Sequence, residues 1–310
     1  MKAGIKVFAP ASVANVACGF DILGFALDKP GDEIIARPSD LPGLSIARIT
    51  GDEKRLPYEI ERNTAGFAAY TLMQHLDCLD QGIELEIHKK MPFGSGLGSS
   101  AASAAGAVVA VNELLGRPLT RRELLPFAVL GEQVADGAYH ADNVAPSLIG
   151  GIVLIRDNAT LDFHRIPVPK GLIALVIYPH IKILTKDARD VIAEHVSLQS
   201  MIVQTGNIAG LVLGLIRSDF ELISRSLHDD VIENQRSSLI PFFYDVKEAA
   251  LKAGALGCSI SGAGPSIFAM FNKSDSAEQA GEVMKQIFST NGISSDVFIS
   301  NINHDGTVVY

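Results

Sequence analysis

Apolar, β-branched residues gather in short runs through the first half of the chain, at 5–9, 34–36, 44–49 and 83–87, and each run reads as a strand. A helical period fills 64–79, between the last two. Residues 99–115 are Ala-rich and apolar all round, the pattern of a helix buried on every side, with Gly116 as its stop and Pro118 just beyond. Thr120 and Glu123 form a capping box for a further helix running to about Asp136. Strands at 152–155 and 172–178 bracket a Pro-containing stretch, 167–170, which predicts a hinge between a lobe of residues 1–166 and a lobe of residues 167–310. The second half alternates helices (188–195, 198–216, 242–253 and 276–288) with strands at 259–261, 267–271 and near 296–299. That order predicts an α+β fold with helices on one face of an antiparallel sheet.

Composition sharpens this picture in three ways. A chain of 310 residues with 47% hydrophobic and 20% charged positions is large for a single core and ordinary for a compact protein of two lobes. A formal net charge of -9, with no basic run or stripe, argues against a nucleic-acid partner. Cys18, Cys78 and Cys258 are odd in number, widely spaced and without a C-x-x-C pair, so neither a disulfide framework nor a zinc knuckle is indicated. The start has no apolar core of a signal peptide, and the longest apolar stretches, such as 208–216, fall short of the ~18–20 residues of a membrane span. The expectation is a cytoplasmic protein without a membrane partner.

The chemistry centres on Pro92, Phe93, Gly94, Ser95, Gly96, Leu97, Gly98, Ser99, Ser100, Ala101 and Ala102, three glycines at alternate positions between a strand and a long helix. Glycines let backbone N–H groups approach phosphate oxygens, and the helix N-terminus adds unsatisfied donors and partial positive charge. A P-loop would need Lys after its last glycine, and a dinucleotide fingerprint would need a glycine where Ser99 stands. By pattern alone the segment is either a different phosphate loop or a flexible turn.

The loop resembles the central motif of the GHMP kinases, the superfamily of galactokinase, homoserine kinase, mevalonate kinase and phosphomevalonate kinase. Two further segments carry the resemblance: Pro10, Ala11, Ser12, Val13, Ala14 and Asn15 with Cys18, Gly19, Phe20 and Asp21, and, near the end, Ser261, Gly262, Ala263, Gly264, Pro265 and Ser266. The first is similar to the homoserine kinase branch, as is the run His140, Ala141, Asp142, Asn143, Val144, Ala145, Pro146; the Gly-Glu-His signature of the sugar and mevalonate kinases is missing between Ala9 and Gly24. The resemblance implies a ribosomal-protein-S5-like N-terminal lobe, a ferredoxin-like C-terminal lobe, and ATP with Mg²⁺ for phosphorylating the hydroxyl of L-homoserine. It also implies a homodimer.

Roles follow residue by residue. Ser100 and Glu132 are implied to hold magnesium, although Glu132 alone would read as a solvated helix carboxylate. Asn15, Asp21, His140 and Asn143 are implied to line the homoserine pocket with Thr185, Arg189, Arg236 and Gly264. The charges suit a zwitterion: Asp21 for an ammonium, and Arg189 or Arg236 as a planar fork for a carboxylate. Arg236 reads equally well as a partner for Glu233. Asn63 is implied to sit near the adenine. Asp142 or Asn143 falls where related kinases carry an aspartate base; in an extended segment only one would face the substrate, and the resemblance favours Asn143 as a positioning group with no dedicated base. Other kinases of the superfamily (for mevalonate, shikimate or a sugar) and a non-catalytic nucleotide-binding regulator are the competing readings.

Overall fold

The computed structural model describes residues 4–137, 139–183 and 185–310, apart from the side chains of residues 135, 136, 185 and 186. The first lobe opens with β1 (Ile5–Ala14), β2 (Leu23–Pro38) and β3 (Gly43–Thr50), then α1 (Thr64–His75), β4 (Gly82–His88), α2 (Ser99–Leu114), α3 (Arg121–Asp136) and α4 (Val144–Ile149). It continues with β5 (Ile152–Asp157) and β6 (Asp162–Ile166), both of which stay in the same sheet. The main path of that sheet runs through β1, β2, β4 and β3; β3 and β4 are parallel and joined over the top by α1. The second lobe holds β7 (Ile173–Pro179), α5 (Thr185–Asp190), α6 (Leu198–Arg217), α7 (Phe220–Ser226), α8 (Ile232–Arg236) and α9 (Phe243–Lys252). It ends with β8 (Gly257–Ile260), β9 (Ile267–Phe271), α10 (Ser274–Thr290) and β10 (Ser295–Asn301), and the short β11 (Val308–Val309) then returns to pair with β1.

The helix buried on every side is α2, whose residues from Ala101 through Asn112 are all buried. Small side chains make that possible: a Cβ on Gly106 would lie 2.6 Å from Ile34 Cγ1, so the glycine sets how closely α2 lies on β2. The capping box of Thr120 and Glu123 is present at the start of α3. In the second sheet the order β10-β7-β9-β8, antiparallel throughout, is the ferredoxin-like arrangement of β-α-β-β-α-β. The helices α9 and α10 cover one face around Phe243, Phe271, Met284 and Phe288. The other face packs on the first lobe: Phe25 meets Phe268 edge-on with centroids 6.0 Å apart, in a cluster that also holds Val13, Val176 and Met270.

Several expected elements differ. The strand expected at 34–36 is the end of a 16-residue β2, whose first half pairs with both β1 and β5. The helix expected at 188–195 begins at Thr185 and stops at Asp190; residues 193–199 are exposed and offer no apolar stripe against the core, and a short helix without tertiary burial does not propagate. The apolar segment near 208–216 belongs to the uninterrupted 20-residue α6, with mean hydropathy 1.3 and 17% of its apolar window buried, so by length and composition alone it meets the requirements of a span.

Candidate active site

The glycine loop runs from the end of β4 to the N-terminus of α2 at one wall of a cleft of about 670 Å³. Gly94, Gly96 and Gly98 have φ of +62°, +76° and +65°, a region costly to any residue with a Cβ. Two of them are also crowded. A Cβ on Gly96 would stand 2.5 Å from the Ser261 carbonyl oxygen; one on Gly98 would stand 2.1 Å from Ser12 Oγ and 2.8 Å from Asn143 Oδ1. Gly98 is therefore fixed by protein contacts as well as by its conformation. Ser261 Oγ donates to the Gly96 carbonyl at 2.6 Å and the Ser266 N–H to the Ser95 carbonyl at 3.2 Å, so the glycine turn of residues 261–266 clasps the loop from the second lobe.

Beneath the loop lies a buried pair absent from the sequence reading, Lys89 with Asp32. Lys89 Nζ also donates to the Ser99 carbonyl at 2.7 Å and to Ser103 Oγ at 2.6 Å. Asp32 Oδ1 accepts the backbone N–H groups of Lys90 and Met91 at 2.7 and 3.2 Å, while Ser99 Oγ donates to Oδ2 at 3.1 Å. Every acceptor and donor of the pair is thus turned to fixing the loop and the first turn of α2, the arrangement that makes a buried charge tolerable.

The loop residues divide by role. Phe93, Gly94, Ser95, Gly96, Gly98, Ser99 and Ser100 line the cleft. Leu97, Ala101 and Ala102 turn their side chains into the core, so only their backbone can face a nucleotide, and Pro92 lies outside the lining. Ser100 Oγ donates to Glu132 Oε1 at 2.7 Å, at the head of α2. A hydroxyl and a carboxylate meeting beside the glycine loop are hard oxygen donors that fit magnesium, an ion that completes its shell from water and phosphate. Among the described residues no group of three or more His, Cys, Asp or Glu side chains gathers to hold a metal by protein alone. Asn63 lines the cleft too, but its amide is engaged as the cap of α1: Oδ1 accepts the Gly66 N–H at 3.1 Å and Nδ2 donates to the Pro57 carbonyl at 2.8 Å.

At the other end, charged groups from four segments converge. Arg189 NH1 and NH2 face Asp21 Oδ2 and Oδ1 at 3.4 and 3.5 Å, and His140 Nδ1 stands 3.7 Å from Asp21 Oδ2. Phe20, which the sequence offered only as part of the first motif and without a role, lies beside both arginines, 5.9 Å from Arg189 and 5.1 Å from Arg236. Arg236 does not pair with Glu233, which binds Lys247 at 2.5 Å; instead its Nε donates to the Ala188 carbonyl at 2.7 Å and NH1 to the Gly262 carbonyl at 3.0 Å. Burial, reinforced by Arg189, pulls its guanidinium down to about 10, still protonated at neutral pH. Asn15 Nδ2 donates to the same Gly262 carbonyl at 2.9 Å, and its Oδ1 accepts the Asp21 N–H at 3.0 Å.

The backbone here is held in a rare conformation. Asn15, Val16 and Ala17 have φ of +70°, +40° and +59°, and Asp21 +59°, a left-handed run that includes a β-branched residue. Residues 142 and 143 form a turn leading into α4, not the extended segment expected, and both Asp142 and Asn143 line the cleft. Ser12 Oγ donates to Asn143 Oδ1 at 2.8 Å, which leaves donation from that amide to its Nδ2. Gly264 lines the cleft at φ +83°, preceding a cis peptide bond to Pro265. The side chain of Thr185 lies outside the described residues.

Comparison with known proteins agrees with this arrangement. The family model of the GHMP kinase N-terminal domain matches residues 63–151, and that of the GHMP kinase C-terminal domain matches residues 211–290. The chain is 47% identical to a homoserine kinase of Chlorobium phaeobacteroides (strain BS1), over 97% of this chain and 98% of the relative. It is 44% identical to one of Chlorobaculum tepidum, over 96% of each. The crystal structure of a homoserine kinase from Cytophaga hutchinsonii superposes with a TM-score of 0.97 at 52% identity, covering 100% of this chain and 98% of the other. With two clasped lobes, a glycine cradle and this level of likeness from end to end, the chain belongs to the homoserine kinases of the GHMP kinase family.

Proposed function

We propose that this protein transfers the γ-phosphoryl group of ATP to the side-chain hydroxyl of L-homoserine, forming O-phospho-L-homoserine and ADP. The observation that carries the reading is that one cleft holds an anion cradle at one end and, at the other, an acid and a fork-shaped base already facing each other. Asp21 and Arg189, which face each other at 3.4 and 3.5 Å, are the complements of an α-ammonium and an α-carboxylate. Mevalonate, shikimate and galactose lack the ammonium that Asp21 would take. A regulator that only bound nucleotide would have no use for this second end.

The division of labour follows from the contacts. The N–H groups of the glycine loop and the start of α2 would hold the phosphates, with Lys89 and Asp32 keeping the loop in shape. Ser100 and Glu132 would hold Mg²⁺, which when bound neutralises charge on the transferring group. Asn143, oriented by Ser12, donates through Nδ2 to a substrate oxygen and fixes the hydroxyl in line. As the new O–P bond forms and the bond to ADP breaks, the hydroxyl proton passes to a phosphoryl oxygen, so no side chain is required as base. Asn15, His140 and Gly264 shape the amino-acid end, and Asn63 supports the nucleotide wall. Residues 1–166 and 167–310 then serve as the two jaws, with the last strand strapping the second to the first. The same reading places the enzyme in the cytoplasm.

Release of ADP in the presence of homoserine, mevalonate, galactose and shikimate, compared side by side, tests the proposal. Turnover with homoserine alone is expected. Turnover with any of the others but not with homoserine would overturn it.

A further inference from the structure

The inner face of α6 packs through Ile208, Leu211 and Leu215 against a cluster that both lobes share. One turn earlier the same face presents Gln204, a half-buried amide outside the lining of the cleft. Both N–H donors and the oxygen of that amide are engaged. Nε2 donates to the Cys18 carbonyl at 3.2 Å and to Asp229 Oδ1 at 2.9 Å, and Oε1 accepts the Asp230 N–H at 3.0 Å.

The two segments it joins carry the charged end of the cleft. Cys18 belongs to the loop of Asn15 and Asp21, and that loop has no slack: a Cβ on Gly19 would lie 2.4 Å from Leu23 Cβ, 2.9 Å from the Asn15 carbonyl oxygen and 3.3 Å from Ile208 Cδ1 of α6. Asp229, 4% exposed, caps α8: its Oδ1 accepts the N–H groups of Val231 and Ile232 and its Oδ2 that of Glu233, each at 2.9 Å. From α8, Arg236 Nε donates to the Ala188 carbonyl at 2.7 Å and Gln235 Oε1 accepts the Ala193 N–H at 2.6 Å, so the chain is tied down on both sides of Arg189. A circuit therefore closes from Gln204 through α8 to Arg189, across to Asp21, and back through the loop and Cys18 to Gln204.

We propose that Gln204 is a positioning residue: it fixes the spacing between Asp21 and the two arginines, Arg189 and Arg236, and with it the preference for a ligand that presents an ammonium and a carboxylate together. The inference rests on the proposed function. On that reading the ligand takes up the groups through which Asp21 and Arg189 face each other, so their spacing has to be kept by bonds outside the cleft. Gln204 supplies such bonds, to the backbone at Cys18 and Asp230 and to a carboxylate that three N–H groups already hold. A ligand with two charged ends registers an error in the spacing as a loss at one of them. A ligand with one charged end settles against the partner it has, and the error costs it little.

Steady-state kinetics on the full chain test this, with homoserine as substrate and two competing ligands that each keep one charged end: 3-amino-1-propanol for the ammonium and 4-hydroxybutanoate for the carboxylate. Gln204→Met keeps the length of the side chain and its helix propensity and removes all three bonds. It should raise KM for homoserine about tenfold, while kcat, KM for ATP and the inhibition constants of both analogues stay within about threefold. Asp229→Asn keeps side-chain volume, takes Oδ2 away from the Glu233 N–H and loosens the other half of the joint, so it should shift the same constants in the same pattern; it carries the test if Gln204→Met does not fold. An unchanged KM for homoserine overturns the inference. So does an equal loss for homoserine and both analogues, which would make Gln204 part of the scaffold, and so does failure of both variants to fold. A wild type that releases no ADP with homoserine overturns the proposed function and this inference with it, whereas a wild type active on homoserine with unselective damage in the variants overturns the inference alone.

Discussion

Replacing Arg189 by methionine separates a substrate role from a structural one, because the structure sets the size of the structural cost. The guanidinium lies 3.4 and 3.5 Å from the Asp21 oxygens, longer than a strong charge-assisted bond, and its side chain is 41% exposed. An ion pair so placed contributes about 0–1 kcal/mol, and its ring contact with Phe20, at 5.9 Å, is at the outer limit of a cation–π interaction. Loss of both should move the melting temperature by no more than about 2–4 °C. Against a substrate carboxylate the same fork would make charge-assisted hydrogen bonds of about 1.5–3 kcal/mol, so kcat/KM for homoserine should fall roughly 10- to 150-fold, most of it through KM. Arg236 already donates from Nε and NH1 to the carbonyls of Ala188 and Gly262, so it offers a substrate carboxylate only part of its fork and should make up little of the loss. The assay is steady-state ADP release with homoserine and with 3-amino-1-propanol, which keeps the ammonium and hydroxyl and lacks the carboxylate. The analogue should be a poor substrate for the wild type and little worse for Arg189→Met. Equal damage to both substrates would place Arg189 at the phosphates or in the scaffold and refute the reasoning.

Glu132→Gln keeps side-chain volume and can still accept from Ser100, so the fold should survive while kcat drops at least about tenfold and the magnesium dependence of ATP binding weakens; wild-type kcat in saturating magnesium would exclude a metal role. Gly98→Ala is expected to cost about 1–2 kcal/mol for a Cβ at φ +65° and about 1 kcal/mol more by displacing the bond from Ser12 to Asn143, seen as a lower melting temperature together with a lower kcat. Ser12→Ala should reproduce the kcat component of that loss without the full loss of stability. Asp32→Asn leaves the buried Lys89 charge without its counter-ion and should destabilise by about 3–5 kcal/mol; if chemical denaturation shows less than about 1 kcal/mol, the pair does not hold the loop as described.

The parts of the molecule legible in the sequence are those whose cause is local. The helix of residues 99–114, the capping box at Thr120 and the strand at 267–271 follow from period, composition and one turn of hydrogen bonds, and all are present. The elements missed are those that tertiary contact creates. The first half of β2 is a strand because β1 and β5 flank it, and β11 is two residues long and exists only against β1. α8 is five residues whose N-terminal N–H groups are satisfied by Asp229, with Val231, Ile232 and Glu233 all donating to that one carboxylate; nothing in its period announces a helix.

The same distinction divides the site. The glycine loop was readable because its cause is contiguous: glycines at alternate positions ahead of a helix can be justified from backbone conformation alone, and the structure adds that Gly96 and Gly98 are hemmed in by Ser261, Ser12 and Asn143. The opposite end, proposed for the amino acid, was reachable only through resemblance, because no stretch of sequence contains it. Asp21 meets Arg189 across 168 positions and Asn15 meets Gly262 across 247, and neither partner carries a local sign of the other. Arg236 shows the consequence. Sequence spacing offers Glu233, three residues away on the same short helix, while the fold gives that carboxylate to Lys247 and turns the arginine to Ala188 and Gly262. Because Asn15 and Arg236 converge on the single carbonyl of Gly262, the loop of the first lobe and α8 of the second are registered against the same turn that clasps the phosphate loop through Ser261. On the proposed function, specificity for the amino acid is a property of how the two lobes meet, and a change in that meeting would alter the far end of the cleft while leaving the glycine loop, and the sequence signature that reveals it, intact.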